Sequence, residues 1–225
     1  MVRAALWLAS GKWQATVWPA ASSRIGGSSA AQSSAARGHL VRNRQPLGER
    51  FDKMSEQLDI ITGLWATTPG ERFSYHGQHY QLDECVSIPR PARRPPIIIG
   101  GAGPRHTPAL AARFADEFNS GMADGVAERF ANFRRICEQS GRDPAQVRLS
   151  TTLPVCCGAA RRAEALGEHG LRMLRMGVTG DPGDVTGRVA ELAEAGADTV
   201  YFHLYDVADT DHIRLLGREV LPQLS

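Results

Sequence analysis

Three features of the 225-residue sequence predict an α/β fold built on a parallel sheet. Ile97-Ile98-Ile99 is an apolar run without alternation, as expected of a parallel strand covered on both faces. From there to the C-terminus, short strand-like runs alternate with stretches of helical periodicity, which is the pattern of βαβ units. The length suits one domain of about the size of a single α/β barrel.

Residues 1–45 are rich in Ala and Ser and carry few apolar residues, so they read as a low-complexity, disordered tail ahead of a domain spanning 46–225. Order is expected from Pro46. Leu47, Phe51, Met54, Leu58, Ile61 and Trp65 recur at alternating steps of four and three, one apolar stripe on a helix. Phe73-Ser74-Tyr75 and Tyr80-Gln81-Leu82 flank His76 to His79 as a small hairpin. Pro89, Pro91, Pro95 and Pro96 stiffen the approach to the isoleucine strand.

A helix is expected over 107–116, with Thr107 as its cap and Leu110 and Phe114 on one face. Glu117-Phe118-Asn119 reads as a short strand, and Val126, Phe130, Phe133 and Cys137 mark a helix that Gly141 closes. Val147–Cys157 is a strand, followed by an Ala/Arg/Leu helix near 160–175. Asp181 before Pro182 signals a capped helix start, and Gly196 its end. Asp198–Tyr205 is the fourth strand of the series, and a last helix runs from Asp209 to Leu221.

The segment Gly100-Gly101-Ala102-Gly103-Pro104-Arg105-His106-Thr107 carries the sharpest chemistry. A glycine-rich turn from strand to helix leaves main-chain N–H groups facing outward at the positive end of the helix dipole, and this attracts anions. Arg105 adds a forked donor suited to phosphate. Two readings stand: a phosphate site, and a turn whose glycines serve backbone geometry alone.

Charge and cysteine usage exclude other classes. Formal net charge is +2, but all the basic residues of 1–45 lack acidic neighbours, so 46–225 is slightly acidic and is no nucleic-acid binder. The four cysteines match no zinc spacing; Cys156 and Cys157 point to opposite faces of a strand, and reduced thiols in a cytoplasmic protein are expected. A site from His76, His79 and Cys85 lacks a fourth ligand, so no metal is expected. The sequence has neither a long apolar run nor the core of a signal peptide, so neither a membrane span nor export is expected.

Pro46-Leu47-Gly48-Glu49-Arg50-Phe51-Asp52, the hairpin Phe73–Tyr80, Pro95–Thr107, Leu110–Asn119, Gly180–Val185, Val200–Leu204 and Leu216–Pro222 together resemble the luciferase-like monooxygenase superfamily. Among its branches the chain is most similar to the one using the deazaflavin coenzyme F-420, with FMN as the alternative cofactor. The resemblance implies a TIM-like (β/α)₈ barrel and hydride transfer between the cofactor and a small organic substrate. It also implies backbone donation to the cofactor phosphate from Gly100, Gly101, Ala102 and Gly103. Arg105 and Thr107 would lie beside that phosphate and Asn119 at the barrel mouth, although Asn119 has a plainer reading as a loop cap. His203 and Tyr205 end the last strand, where barrel sites gather side chains, but His203 reads more simply as a strand residue satisfied locally.

A full barrel needs eight strands, whereas only four are legible here, corresponding to a C-terminal half. The expectation is therefore a truncated chain, without assignable catalytic residues. The alternative is a non-catalytic half-barrel that binds a phosphorylated ligand or pairs with another chain, forming a homo-oligomer through an exposed edge and an apolar inner layer.

Overall fold

A computed structural model describes residues 3–7, 47–89, 91–158 and 167–224, in two compact units: Trp18–Pro95, and Met1–Val17 with Pro96–Ser225.

In the first unit, helix α1 (Leu47–Ala66) accompanies an antiparallel hairpin of strands β2 (Phe73–His76) and β3 (Gln81–Cys85). Along the expected stripe Leu58 is buried and Phe51, Met54, Ile61 and Trp65 are half-buried, while Ile60, off the stripe, is buried as well. The hairpin is tied to α1 by Glu56, whose carboxylate accepts the N–H groups of Gln78 (2.8 Å), His79 (2.9 Å) and Tyr80 (3.0 Å). A Cβ on Gly77 would stand 2.3 Å from Glu56 Oε2, so only glycine admits the carboxylate there. Desolvation alone would raise the Glu56 pKa, but the three N–H bonds outweigh it and hold it below its ordinary value. A lowered carboxylate pKa gives stability that is fully present above the unfolded value of 4.5 and lost as pH falls through the folded value. Glu56→Gln is expected to lower the thermal midpoint of hairpin melting at neutral pH and to flatten its decline in acid, read by circular dichroism from pH 7 to pH 3.

The second unit holds strands β1 (Arg3–Trp7), β4 (Ile98–Gly100), β5 (Glu117–Met122), β6 (Arg148–Cys157), β7 (Val178–Gly180) and β8 (Thr199–His203) in one sheet. The order is β1-β8-β6-β5-β4, with β7 paired to the upper end of β6, and every pairing is parallel. Helices α2 (His106–Phe114), α3 (Val126–Gln139), α4 (Gly167–Leu174), α5 (Pro182–Glu194) and α6 (Thr210–Leu215) connect or follow them. Two strands exceed the four expected. β7 is three residues long and ends on Gly180, too short to show a period. β1 lies in the segment expected to be a tail, yet Arg3–Trp7 pairs in register with Thr199–His203. Residues 8–45 of that segment lie outside the described residues.

Alternation along the strands sorts the side chains into two layers. Ile97, Ile99, Phe118, Leu149, Leu153, Val155, Val200 and Phe202 are buried on one side, where the Phe118 and Phe133 rings stack at 4.5 Å. The opposite layer holds Glu117, Asn119, Ser150, Thr152, Tyr201 and His203, matched across the strand pairs. This corrects the expected apolar inner layer. A parallel strand buried on both faces need not be apolar on both, because hydrogen bonds satisfy these polar groups.

Two terminal contacts fix the helices. Asp181 and Asp184 form the expected capping box before α5, with Pro182 in its first turn. At the C-terminal end of α2, Arg142 donates to the carbonyls of Ala112 (2.8 Å) and Ala115 (2.6 Å), and to that of Ala111 (3.2 Å), which also accepts the Ala115 N–H. Arg142→Ala is expected to cost about 1.5–3 kcal/mol, measured by urea unfolding, because three half-buried carbonyls lose a charged donor.

None of the four cysteines forms a disulfide, and no cluster of three or more potential metal ligands occurs among the described residues. His76 instead meets Gln81 at 2.9 Å and Asp83 at 3.6 Å. No helix among the described residues is long and apolar enough to cross a membrane.

Candidate cofactor-phosphate site

The C-terminal ends of parallel strands are where barrel sites form, because the loops leaving them lead into helix N-termini. At that end, β4 runs through Gly100 into the turn 101–105 and then into α2. Gly100 is in register with Asn119 on β5, and the Gly101 N–H donates to the Asn119 carbonyl at 3.0 Å. Asn132 of α3 donates to the Pro104 carbonyl at 2.9 Å, anchoring the far side of the turn. Gly101 has φ +156°, and a Cβ there would stand 3.0 Å from Thr107 Oγ1. Space and backbone both demand glycine at this position.

The structure thus gathers Gly100, Gly101, Ala102, Gly103, Arg105, Thr107 and Asn119 around one turn. Thr107 is not the cap. Arg105 occupies that position without a side-chain bond, and Thr107 is the buried second residue of α2, its hydroxyl beneath Gly101. The N–H groups of Ala102, Gly103 and Arg105 have no partner among the described residues, and the Arg105 side chain is exposed.

The helix starts differ in charge. α5 is closed by two carboxylates, α6 by Asp209, and α3 carries Glu128 in its first turn. α2 has neither a side-chain cap nor an acid in its first turn. Its dipole is left uncompensated by any carboxylate of its own first turn.

Behind the turn lies a group of residues that local patterns did not flag. Asn119 Nδ2 donates to Ser150 Oγ (3.1 Å), Ser150 Oγ donates to Glu117 Oε1 (2.6 Å), and Tyr201 Oη donates to the same oxygen (2.7 Å). Arg148 Nη1 pairs with Glu117 Oε2 at 3.3 Å. Burial and the bond to Glu117 both push the Tyr201 phenol up, so it remains a donor. Polar residues two apart on successive strands, Glu117 with Asn119 and Ser150 with Thr152, were the available signal. At the end of β8, the His203 and Tyr205 rings stack at 4.5 Å, and burial lowers the His203 pKa.

A polar depression of about 380 Å³ lies at the opposite end of the sheet, bordered by Asp116, Arg148, Asp198 and Thr199. It is remote from the turn and sits where barrel folds keep residues that serve stability.

Comparison with known proteins identifies the family and the fold. The family described as Luciferase-like monooxygenase matches residues 27–176. The chain belongs to that family. Over 93 residues it is 40% identical to an F420-dependent glucose-6-phosphate dehydrogenase of Nakamurella multipartita, covering 37% of this chain and 26% of that protein. It is 25% identical over 210 residues to the enzyme of the same description from Microbacterium testaceum, covering 78% and 61%. Among solved structures, an F420-dependent secondary alcohol dehydrogenase superposes with a TM-score of 0.69 at 17% identity, covering 82% of this chain and 65% of that one. A long-chain alkane monooxygenase superposes at 0.63 and 15% identity, covering 82% and 58%. These superpositions place the sheet and helices in the luciferase-like TIM-barrel fold. The chain spans less than two thirds of the length of each of these relatives.

Proposed function

We propose that this luciferase-like chain serves hydride transfer with a phosphate-bearing cofactor, coenzyme F-420 or alternatively FMN, held by the turn Gly100–Gly103 with Arg105, Thr107 and Asn119 around it. The observation that carries this reading is the start of α2: three N–H groups without a partner among the described residues and an exposed guanidinium, with no acid in the first turn. The turn suits a phosphate, since its glycine backbone leaves main-chain N–H groups open to an anion, and a side chain at Gly101 would press on Thr107 and distort it. When bound, the deazaflavin or flavin ring supplies the hydride chemistry, while the protein supplies binding and orientation. The F420 dependence of the related dehydrogenases supports the first cofactor, and the monooxygenase neighbours support FMN.

Calorimetric titration with F-420, FMN and riboflavin tests the reading. Binding of a phosphate-bearing cofactor, with riboflavin weaker, is expected. Equal affinity for FMN and riboflavin would take the phosphate out of the site. Arg105→Ala should weaken FMN or F-420 by about tenfold, the worth of one exposed charge-assisted bond.

A further inference from the structure

Glu117 is three bonded steps from the turn and touches none of the residues that would meet a phosphate. It is nevertheless the anchor from which their geometry follows. An ionised carboxylate only accepts, so the hydroxyls of Ser150 and Tyr201 must both point their hydrogens at Glu117 Oε1. With its hydrogen committed, Ser150 Oγ is left as an acceptor toward Asn119, which therefore presents its Nδ2 hydrogens at 3.1 Å. The amide of Asn119 is thereby fixed in one of its two orientations, with Oδ1 turned to the Gly121 N–H at 2.9 Å. The same residue's main-chain carbonyl holds the Gly101 N–H at 3.0 Å. Gly121 in turn backs the turn, since a Cβ on it would stand 3.7 Å from the Ala102 nitrogen. Ser150 is fully buried and Glu117 is 3% exposed, so the bond between these two is shielded from water.

We infer that Glu117 is a positioning residue for the Gly100–Gly103 turn, acting through Ser150 and Asn119 to set the shape of the phosphate cradle. This rests on the phosphate reading of the turn. Polarity along the chain of bonds runs one way, from carboxylate to hydroxyl to amide to backbone. If Ser150 loses its acceptor, its hydrogen is freed to donate to Asn119 Oδ1. The amide then turns over and puts a donor against the Gly121 N–H.

Five variants, one of them double, separate the relay from general packing. Glu117→Met keeps the length of the side chain but cannot accept, and Ser150→Ala removes the middle group. Each is expected to shift the Gly101 and Gly121 amide resonances in the free protein and to weaken FMN and F-420 about tenfold, leaving riboflavin unchanged. The double variant should bind no more weakly than the poorer single one, because both cut the same chain of bonds. Glu117→Gln keeps an acceptor oxygen and should restore wild-type affinity. Tyr201→Phe removes the other hydroxyl on the same oxygen and should lower the melting temperature without moving either amide or the affinity. Unmoved Gly101 and Gly121 resonances in Ser150→Ala, a one-atom deletion that keeps the fold, would overturn the relay. Additive losses in the double variant would overturn it too. Should the wild-type chain bind no phosphate-bearing cofactor, the functional reading fails, while the two amide resonances still decide the relay.

Discussion

Gly101→Val is expected to abolish cofactor binding, with affinity for F-420 and FMN falling on the order of a hundredfold or more as two or more charge-assisted backbone contacts are lost. Two independent costs meet at this residue. The backbone at φ +156° is one that valine avoids, so the turn must relax toward another conformation. A Cβ in the present conformation would stand 3.0 Å from Thr107 Oγ1 and 3.2 Å from Thr107 Cγ2, and Thr107 is too buried to move aside. Relaxation must also break the Gly101 N–H bond to Asn119, which ties the turn to β5. The isoleucine strand is held separately: the Ile97 N–H donates to Asp116 Oδ2 at 2.7 Å. The far-ultraviolet circular dichroism should therefore persist while titration heat disappears. Retained affinity with retained fold would remove the turn from the binding site.

Phe133→Ala should be the most damaging of the single changes to stability, costing about 3–5 kcal/mol. Phe133 is fully buried on α3, and its ring lies 4.5 Å from that of Phe118, at an interplanar angle of 18°. Its removal opens a cavity under the middle of β5, between the backbone positions that carry Glu117 and Asn119. A loss of that size is roughly a fifth or more of the stability of an ordinary domain. Urea unfolding followed by circular dichroism measures it, and Phe133→Leu should recover most of the loss. A midpoint shift worth less than about 1 kcal/mol would mean that α3 does not carry the load its burial implies.

What could be read in the sequence was what local chemistry dictates. Ile97–Ile99, the Asp181-Pro182 helix start and the Phe73–Leu82 hairpin each announce themselves within a few residues, and each is found where it was expected. The glycine turn was legible for the same reason. Thr107 was misassigned because several residues can begin a helix, and the chain curves into α2 two residues earlier than the threonine suggests. The support behind the turn was out of reach of such reading. Glu117 meets Ser150 across 33 residues and Tyr201 across 84, and no window along the chain brings those three together. β7 and β1 were missed because a strand of three to five residues takes its identity from its neighbour in the sheet, which periodicity cannot supply.

The ten-residue strand β6 changes its partner partway along. Residues 150–154 pair with β8, and Val155–Cys157 pair with β7. The changeover falls at Pro154, which has no N–H to give either neighbour. β7 is accordingly an inserted half-strand rather than a rung that the sheet requires, since β6 and β8 already bond directly below it. The register of β6 against β5 and β8, and with it the alignment of Glu117, Asn119, Ser150 and Tyr201, is therefore set without β7. Helix α5, which follows β7, still belongs to the core through buried Val185, Val189 and Leu192.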